Sequence, residues 1–167
     1  YKPKNVELIT ACNYQHDLQR ISETDWILEA VVEQLDVKEK VYSNILPYLK
    51  ESAILTSNTS GIPLSDLTKN LPTNVKKRFM ITHFFNPPRY MQLLELVKGK
   101  QTSESVYNKM ATFGEFVLGK GIVHAKDTPN FIGNRIGTFG MMTAMNLAIE
   151  QELSVEEVDK LTGLISG

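Results

Sequence analysis

Short apolar runs alternate with amphipathic ones up to about residue 126, which is the pattern of a layered α/β domain. Residues 6–10 predict a short strand and 14–21 a weak helix. Residues 26–32, WILEAVV, are apolar apart from Glu29, the texture of a strand covered on both faces. Val41, Ile45 and Leu49 recur at helical spacing and predict a helix over 37–49, which Pro47 should tighten or end early. Residues 53–56 read as a buried strand running into the turn formers of Ser57–Gly61. A short helix near 64–70 leads to a strand over 78–82, and beyond HFFNPP the chain is extended again over 90–97.

The spacing of Val106, Met110, Phe113 and Val117 predicts a helix over 103–118, with Thr102 able to cap it and Gly119 to stop it. A last strand falls at 122–125. The texture then changes. Asp127-Thr-Pro-Asn offers a cap and a first-turn proline for a long helix reaching about residue 151. Ser154 and Glu157 form an S-x-x-E capping box for another. On the long helix, Gly133, Gly137 and Gly140 suggest close helix packing, and Met141, Met142 and Met145 a core or interface. We therefore expect a boundary near residue 126, with a partial α/β domain over 1–126 and the start of a helical domain over 127–167.

Composition narrows the class of function. The 167 residues suffice for one ordinary domain and the start of a second, and 42% of them are hydrophobic. Eighteen Lys and Arg against nineteen Asp and Glu give a net charge of −1, which argues against nucleic acid or an anionic membrane as the main partner. The lone Cys12 excludes an internal disulfide framework and a cysteine-based zinc site, and fits a reducing compartment such as the cytoplasm. No run approaches the ~20 apolar residues of a membrane helix. The opening Tyr1 and the unmarked end near Gly167 suggest a piece of something longer.

Three histidines are present. His16 lies in a polar stretch and should be solvated, and His124 should be an exposed strand residue. His83 differs because it ends a strand, and in a parallel sheet the carboxyl ends of strands form the ligand crevice. Alternation over 90–97 puts Met91, Leu93, Glu95 and Val97 on one face. A carboxylate among apolar neighbours is costly unless paired, and Pro87-Pro88 turns the chain so that Glu95 could meet His83. Such a pair fixes the imidazole tautomer and suits a general base near neutral pH. Alternation alone leaves the other reading open, an edge strand with Glu95 reaching water. The Ser57–Gly61 turn can present hydroxyl and N–H groups to a ligand, but such turns are common. No glycine-rich phosphate loop and no metal-ligand spacing occurs.

Five segments in order carry a resemblance: Glu29-Ala-Val-Val-Glu33, Ser57-Asn-Thr-Ser60, His83-Phe-Phe-Asn-Pro87, Glu95-Leu-Val, and Asp127-Thr-Pro-Asn-Phe-Ile-Gly-Asn134-Arg135. Together they resemble the L-3-hydroxyacyl-CoA dehydrogenase family of fatty-acid β-oxidation, over the stretch from Val6 to about Leu161. The resemblance implies an incomplete Rossmann-type, doubly wound sheet followed by the first helices of an all-α domain. It places the catalytic histidine on His83 and its glutamate on Glu95, with an active-site serine at Ser60 and an asparagine at Asn134. It assigns Glu33, Lys38, Ser60 and Asn86 to the nicotinamide half of NAD, and no metal. A 3-hydroxyacyl-CoA would be oxidised to the 3-ketoacyl-CoA, His83 taking the hydroxyl proton.

The family pattern begins with a strand, a glycine-rich turn and a helix that this sequence does not show, so we expect the chain by itself to bind NAD feebly and to be inactive. The resemblance further implies a homodimer for the longer parent, and HFFNPPRYM looks like the bacterial forms fused to an enoyl-CoA hydratase domain. The rival from another class is a crystallin-like structural or binding relative of the same fold, against which the intact set of four site residues weighs. A dehydrogenase of free β-hydroxyacids, with a catalytic lysine, is the other rival, and HFFNP speaks against it.

Overall fold

A computed structural model describes residues 3–166. These form a five-stranded sheet in the simple order β1-β2-β3-β4-β5. The strands are β1 (Trp26–Glu29), β2 (Ile54–Ser57), β3 (Phe79–Phe84), β4 (Leu93–Lys98) and β5 (Gly121–Ala125). Between and after them come α1 (Leu35–Ile45), α2 (Leu64–Leu67), α3 (Thr73–Lys76), α4 (Glu104–Thr112), α5 (Gly133–Glu150) and α6 (Val155–Ser166). β1, β2 and β3 run parallel, β4 runs antiparallel to β3, and β5 parallel to β4. The carboxyl end of β3 therefore meets the amino end of β4 at one edge of the sheet.

Side chains alternate across each strand, so consecutive residues feed two separate cores. Leu55, Phe79, Ile81 and Val97 pack with Tyr42, Ile45, Leu64, Leu67 and Val75 from α1, α2 and α3. Their neighbours Ile54, Met80, Leu94 and Leu96 point the other way, toward Tyr107 and Met110 of α4. Both faces of the central strands are thus covered by helices, as the doubly wound class requires.

The ends of the sheet differ from the sequence expectation. Residues 6–10 are not a strand. Pro3–Leu8 is a 3-10 turn that joins no ladder, and Val6, Leu8 and Ile9 stay exposed. Residues 14–21 likewise contribute a 3-10 turn, Leu18–Glu23. Among the described residues β1 pairs with β2 alone, which makes it an edge strand, and its faces are incompletely covered, with Leu28 39% exposed.

The caps also moved. Ser103, not Thr102, caps α4 by accepting from the Val106 N–H, while the Thr102 hydroxyl donates to the Phe79 carbonyl at 2.7 Å. α4 widens into a π-helical turn over Phe113–Val117 and stops at Gly119, whose φ of 66° needs a residue without Cβ. Asp127 does not open α5. Its carboxylate accepts from the Leu64 N–H at 2.9 Å, in the first turn of α2. α5 begins six residues later, after Asn130 and Phe131 take left-handed φ of 61° and 47°. That conformation is unusual for a bulky residue, and Phe131 is held in it by burial to 2% exposure. The Ser154–Glu157 capping box forms with both reciprocal bonds. Gly137 and Gly140 face open space rather than another helix, and Met141, Met142 and Met145 are about half exposed.

Candidate active site

The antiparallel hairpin of β3 and β4 sets His83 directly opposite Glu95 in the ladder. Opposite residues point to the same face, so their side chains meet. His83 Nδ1 lies 2.8 Å from Glu95 Oε2, with His83 4% exposed and Glu95 fully buried. The carboxylate needs more than one donor at that depth. Its other oxygen, Oε1, accepts the backbone N–H groups of Ile132 at 2.9 Å and Gly133 at 2.7 Å. One carboxylate thus joins the imidazole to the first turn of α5, where the helix macrodipole favours a negative charge.

With Nδ1 committed to Glu95, the imidazole presents Nε2. No side-chain nitrogen or oxygen among the described residues is both fully buried and without a partner, so Nε2 keeps some solvent access at the carboxyl end of β3, where such a sheet forms its ligand cleft. Phe85 and Phe131 wall the ring, at centroid distances of 4.6 and 5.6 Å. Gly133 is required by that wall, since a Cβ there would sit 2.6 Å from the Phe85 ring. Asn134, the next residue of α5, is half-buried beside this point.

A second polar centre lies at the carboxyl ends of β1 and β2. Glu29 ends β1 opposite Ser57. Its Oε1 accepts from Lys38 Nζ at 2.9 Å and the Val31 N–H at 2.8 Å, and its Oε2 from the Tyr42 hydroxyl at 2.9 Å and the Ser57 hydroxyl at 2.6 Å. Burial pushes the Tyr42 hydroxyl pKa upward, with the Glu29 charge adding to the effect, which keeps that group a donor. Lys38 is only 1% exposed, and its ammonium also lies 3.2 Å from Glu33 Oε2. Glu33 in turn accepts the Thr59 hydroxyl at 2.5 Å, the Ser60 N–H at 2.8 Å and the Gly61 N–H at 3.1 Å. Partial burial raises the Glu33 pKa, but the bonds from Thr59, Ser60 and Lys38 outweigh it and hold the carboxyl below its ordinary value.

The two centres share one sheet edge. Asn58 joins them, its N–H donating to the Glu29 carbonyl at 2.7 Å and its side-chain oxygen accepting the Phe84 N–H at 2.9 Å. Ser60 and Asn86 are exposed at this edge, and neither side chain is bonded to another described residue. A hydroxyl, a carboxamide and the part-exposed Glu33 carboxylate form a donor and acceptor set that fits the carboxamide and ribose of a nicotinamide nucleotide. Lys38 is placed differently: buried between two carboxylates, it faces Glu33 rather than the cleft.

Sequence reasoning missed Glu29, Phe85, Phe131 and Asn58 as parts of the site. Glu29 carried a usable signal, since it is a lone carboxylate in an apolar strand, the same anomaly that singled out Glu95. His124, read as exposed, is so, yet its Nδ1 lies 2.6 Å from the Tyr107 hydroxyl on the other face of the sheet.

Comparison with known proteins identifies the family. Residues 2–128 match the family model described as 3-hydroxyacyl-CoA dehydrogenase, NAD binding domain. A Rickettsia felis protein described as a fatty acid oxidation complex trifunctional enzyme is 46% identical over 99% of this chain and 23% of its own length. The human mitochondrial hydroxyacyl-coenzyme A dehydrogenase is 34% identical over 88% of this chain and 46% of its own. The crystal structure of (S)-3-hydroxybutyryl-CoA dehydrogenase from Ralstonia eutropha superposes with a TM-score of 0.78 at 33% identity, covering 88% of this chain and 51% of that one. The chain therefore spans about a quarter to a half of the length of these relatives.

Proposed function

The chain belongs to the 3-hydroxyacyl-CoA dehydrogenase family, and from that premise we propose that the full-length protein oxidises a 3-hydroxyacyl-CoA to the 3-ketoacyl-CoA with NAD, as a step of fatty-acid β-oxidation. The observation that carries this reading is the buried His83–Glu95 pair, with Nε2 open to the cleft and polar groups suited to a nicotinamide nucleotide on the same sheet edge.

NAD, when bound, supplies the acceptor for the hydride leaving C3. His83 Nε2 takes the proton of the 3-hydroxyl as that hydride leaves, and in the reverse direction the imidazolium returns it. Glu95 holds the Nδ1–H, which keeps the free lone pair on Nε2 and stabilises the imidazolium as it forms. Ser60 lies on the turn after β2 and Asn134 in the first turn of α5. There they hydrogen-bond the substrate oxygen and keep C3 oriented. Phe85 and Phe131 exclude water from the ring, which strengthens the imidazole–carboxylate interaction.

The similarity to the Rickettsia protein, described as trifunctional, supports a parent in which this unit is fused to further activities; that one of them is an enoyl-CoA hydratase, and that the assembly is dimeric, are parts of the same proposal. Among the described residues no helix is long and apolar enough to cross a membrane.

The test is acetoacetyl-CoA-dependent oxidation of NADH by the full-length protein. Turnover is expected, falling by about 10²–10⁴-fold in His83→Ala, the range set by loss of a general acid–base group. Undiminished turnover in that variant would remove the reading.

A further inference from the structure

Glu29 has no role in the proton transfer just described. It is buried, it lies on a different strand from His83, and its two oxygens are filled by four protein donors. No lone pair faces a ligand. A buried carboxylate so completely satisfied acts through what it holds.

Two routes leave Glu29 and meet again at Glu33. One passes through Lys38, whose ammonium lies between Glu29 Oε1 and Glu33 Oε2 at 2.9 and 3.2 Å. The other passes through Ser57, which donates to Glu29 and accepts the Thr59 N–H at 3.2 Å. Thr59 then donates its hydroxyl to Glu33. Ser57, Thr59 and Lys38 are themselves buried, whereas 44% of the Glu33 side chain is exposed. The ring therefore has a closed inner side and one open corner. That corner carries Glu33 and, through its bonds to the Ser60 and Gly61 N–H groups, the turn that presents Ser60.

Charge explains why the inner carboxylate is needed. The buried Lys38 ammonium must be balanced. With Glu29 present, Lys38 is neutralised from within, and Glu33 keeps Oε1 for Thr59, Ser60 and Gly61. Without that inner charge the ammonium would draw Glu33 inward and strip those three donors of their acceptor.

We propose that Glu29 is a positioning residue for the dinucleotide end of the site: through Lys38 on one side and Ser57 and Thr59 on the other, it fixes Glu33 and the Ser60 turn and so sets affinity for NAD. This rests on the dehydrogenase reading, and it assigns Lys38 an indirect part, acting on Glu33 from beneath the surface.

The test compares NAD dissociation constants by calorimetry in the full-length protein, its Glu29→Gln variant and the double variant Glu29→Gln with Lys38→Met. Glu29→Gln should weaken NAD by about tenfold, the effect of losing one charge-assisted contact. Its pH profile of turnover at saturating NAD, set at His83, should not move. The double variant removes the buried ammonium along with its partner. It should regain most of the thermal midpoint lost in the single variant yet still bind NAD about tenfold weakly, because Glu33 then lacks the Lys38 anchor on Oε2. Should Glu29→Gln not fold, the double variant alone decides. NAD affinity equal to that of the unaltered protein in either variant would overturn the proposal and leave Glu29 as a balance for core charge. If the unaltered protein binds NAD but turns over no 3-hydroxyacyl-CoA, the substrate reading fails and the role of Glu29 stands. If it binds no NAD, both fail.

Discussion

Glu95 and Glu29 are two buried carboxylates on one sheet, and they are built for opposite purposes. Glu29 meets four donors that all belong to the folded chain, one of them a buried cation. Glu95 divides its oxygens between two backbone N–H groups and an imidazole whose other nitrogen opens onto the cleft. The first arrangement has no partner facing the cleft. The second has one partner that can gain or lose a proton. Burial and hydrogen-bond count barely distinguish the two, and the difference lies in whether a partner faces the cleft.

Substitution should separate them by activity against stability. Glu95→Ala in the full-length protein should lower turnover by two orders of magnitude or more, since it removes the group that orients His83 as well as the cap on α5. A loss below tenfold in the acetoacetyl-CoA assay would place Glu95 with Glu29, outside the proton transfer. Glu29→Ala should show the reverse emphasis, with stability in urea reduced by about 3–5 kcal/mol because the buried Lys38 ammonium keeps only the part-exposed Glu33 as counter-charge, and Tyr42 and Ser57 lose their acceptor.

A smaller effect sharpens the role of the α5 junction. Gly133→Ala should cost about 1–3 kcal/mol, because the new methyl meets the Phe85 ring. Gly137→Ala, one turn along the same helix, meets nothing within 4 Å and should stabilise by about 0.5–1 kcal/mol. Equal effects of the two changes, read from thermal midpoints, would show that the wall around His83 yields.

The smallest expected effect is in pH. The Glu33 carboxyl is held below its ordinary value in the folded chain, so its contribution to stability is complete above the unfolded value near 4.5 and is lost as pH falls through the lower folded one. Solvent exposure limits its size. The stabilities of the unaltered protein and Glu33→Gln should differ at neutral pH and converge below about pH 4. Parallel curves would mean that Glu33 is not held by its turn.

Much of this was legible in the sequence. The central strands followed from short β-branched and apolar runs between turn formers, whereas one carboxylate on an apolar face plus a proline turn only offered the His83–Glu95 pair, and the family resemblance chose it over an exposed edge strand. What stayed hidden depended on partners far along the chain. Residues 6–10 had strand composition, yet Pro3–Leu8 turns as a 3-10 helix outside the sheet. Asp127 looked like the cap of α5 because nothing local says that its carboxylate reaches Leu64, 63 residues away. Glu29 escaped because the apolar run around it suggested two covered faces, whereas a buried network of Lys38, Tyr42 and Ser57 had claimed its charge.

The bond from Glu95 to the start of α5 has one more consequence. Amides in the first turn of a helix have no intrahelical acceptor and ordinarily exchange their hydrogens with solvent quickly. The Ile132 and Gly133 amides do have an acceptor, a buried one, and should exchange slowly for as long as Glu95 remains in place. Two backbone hydrogens thus serve as isotopic reporters on the carboxylate that orients His83, readable in the resting protein before any substrate is added.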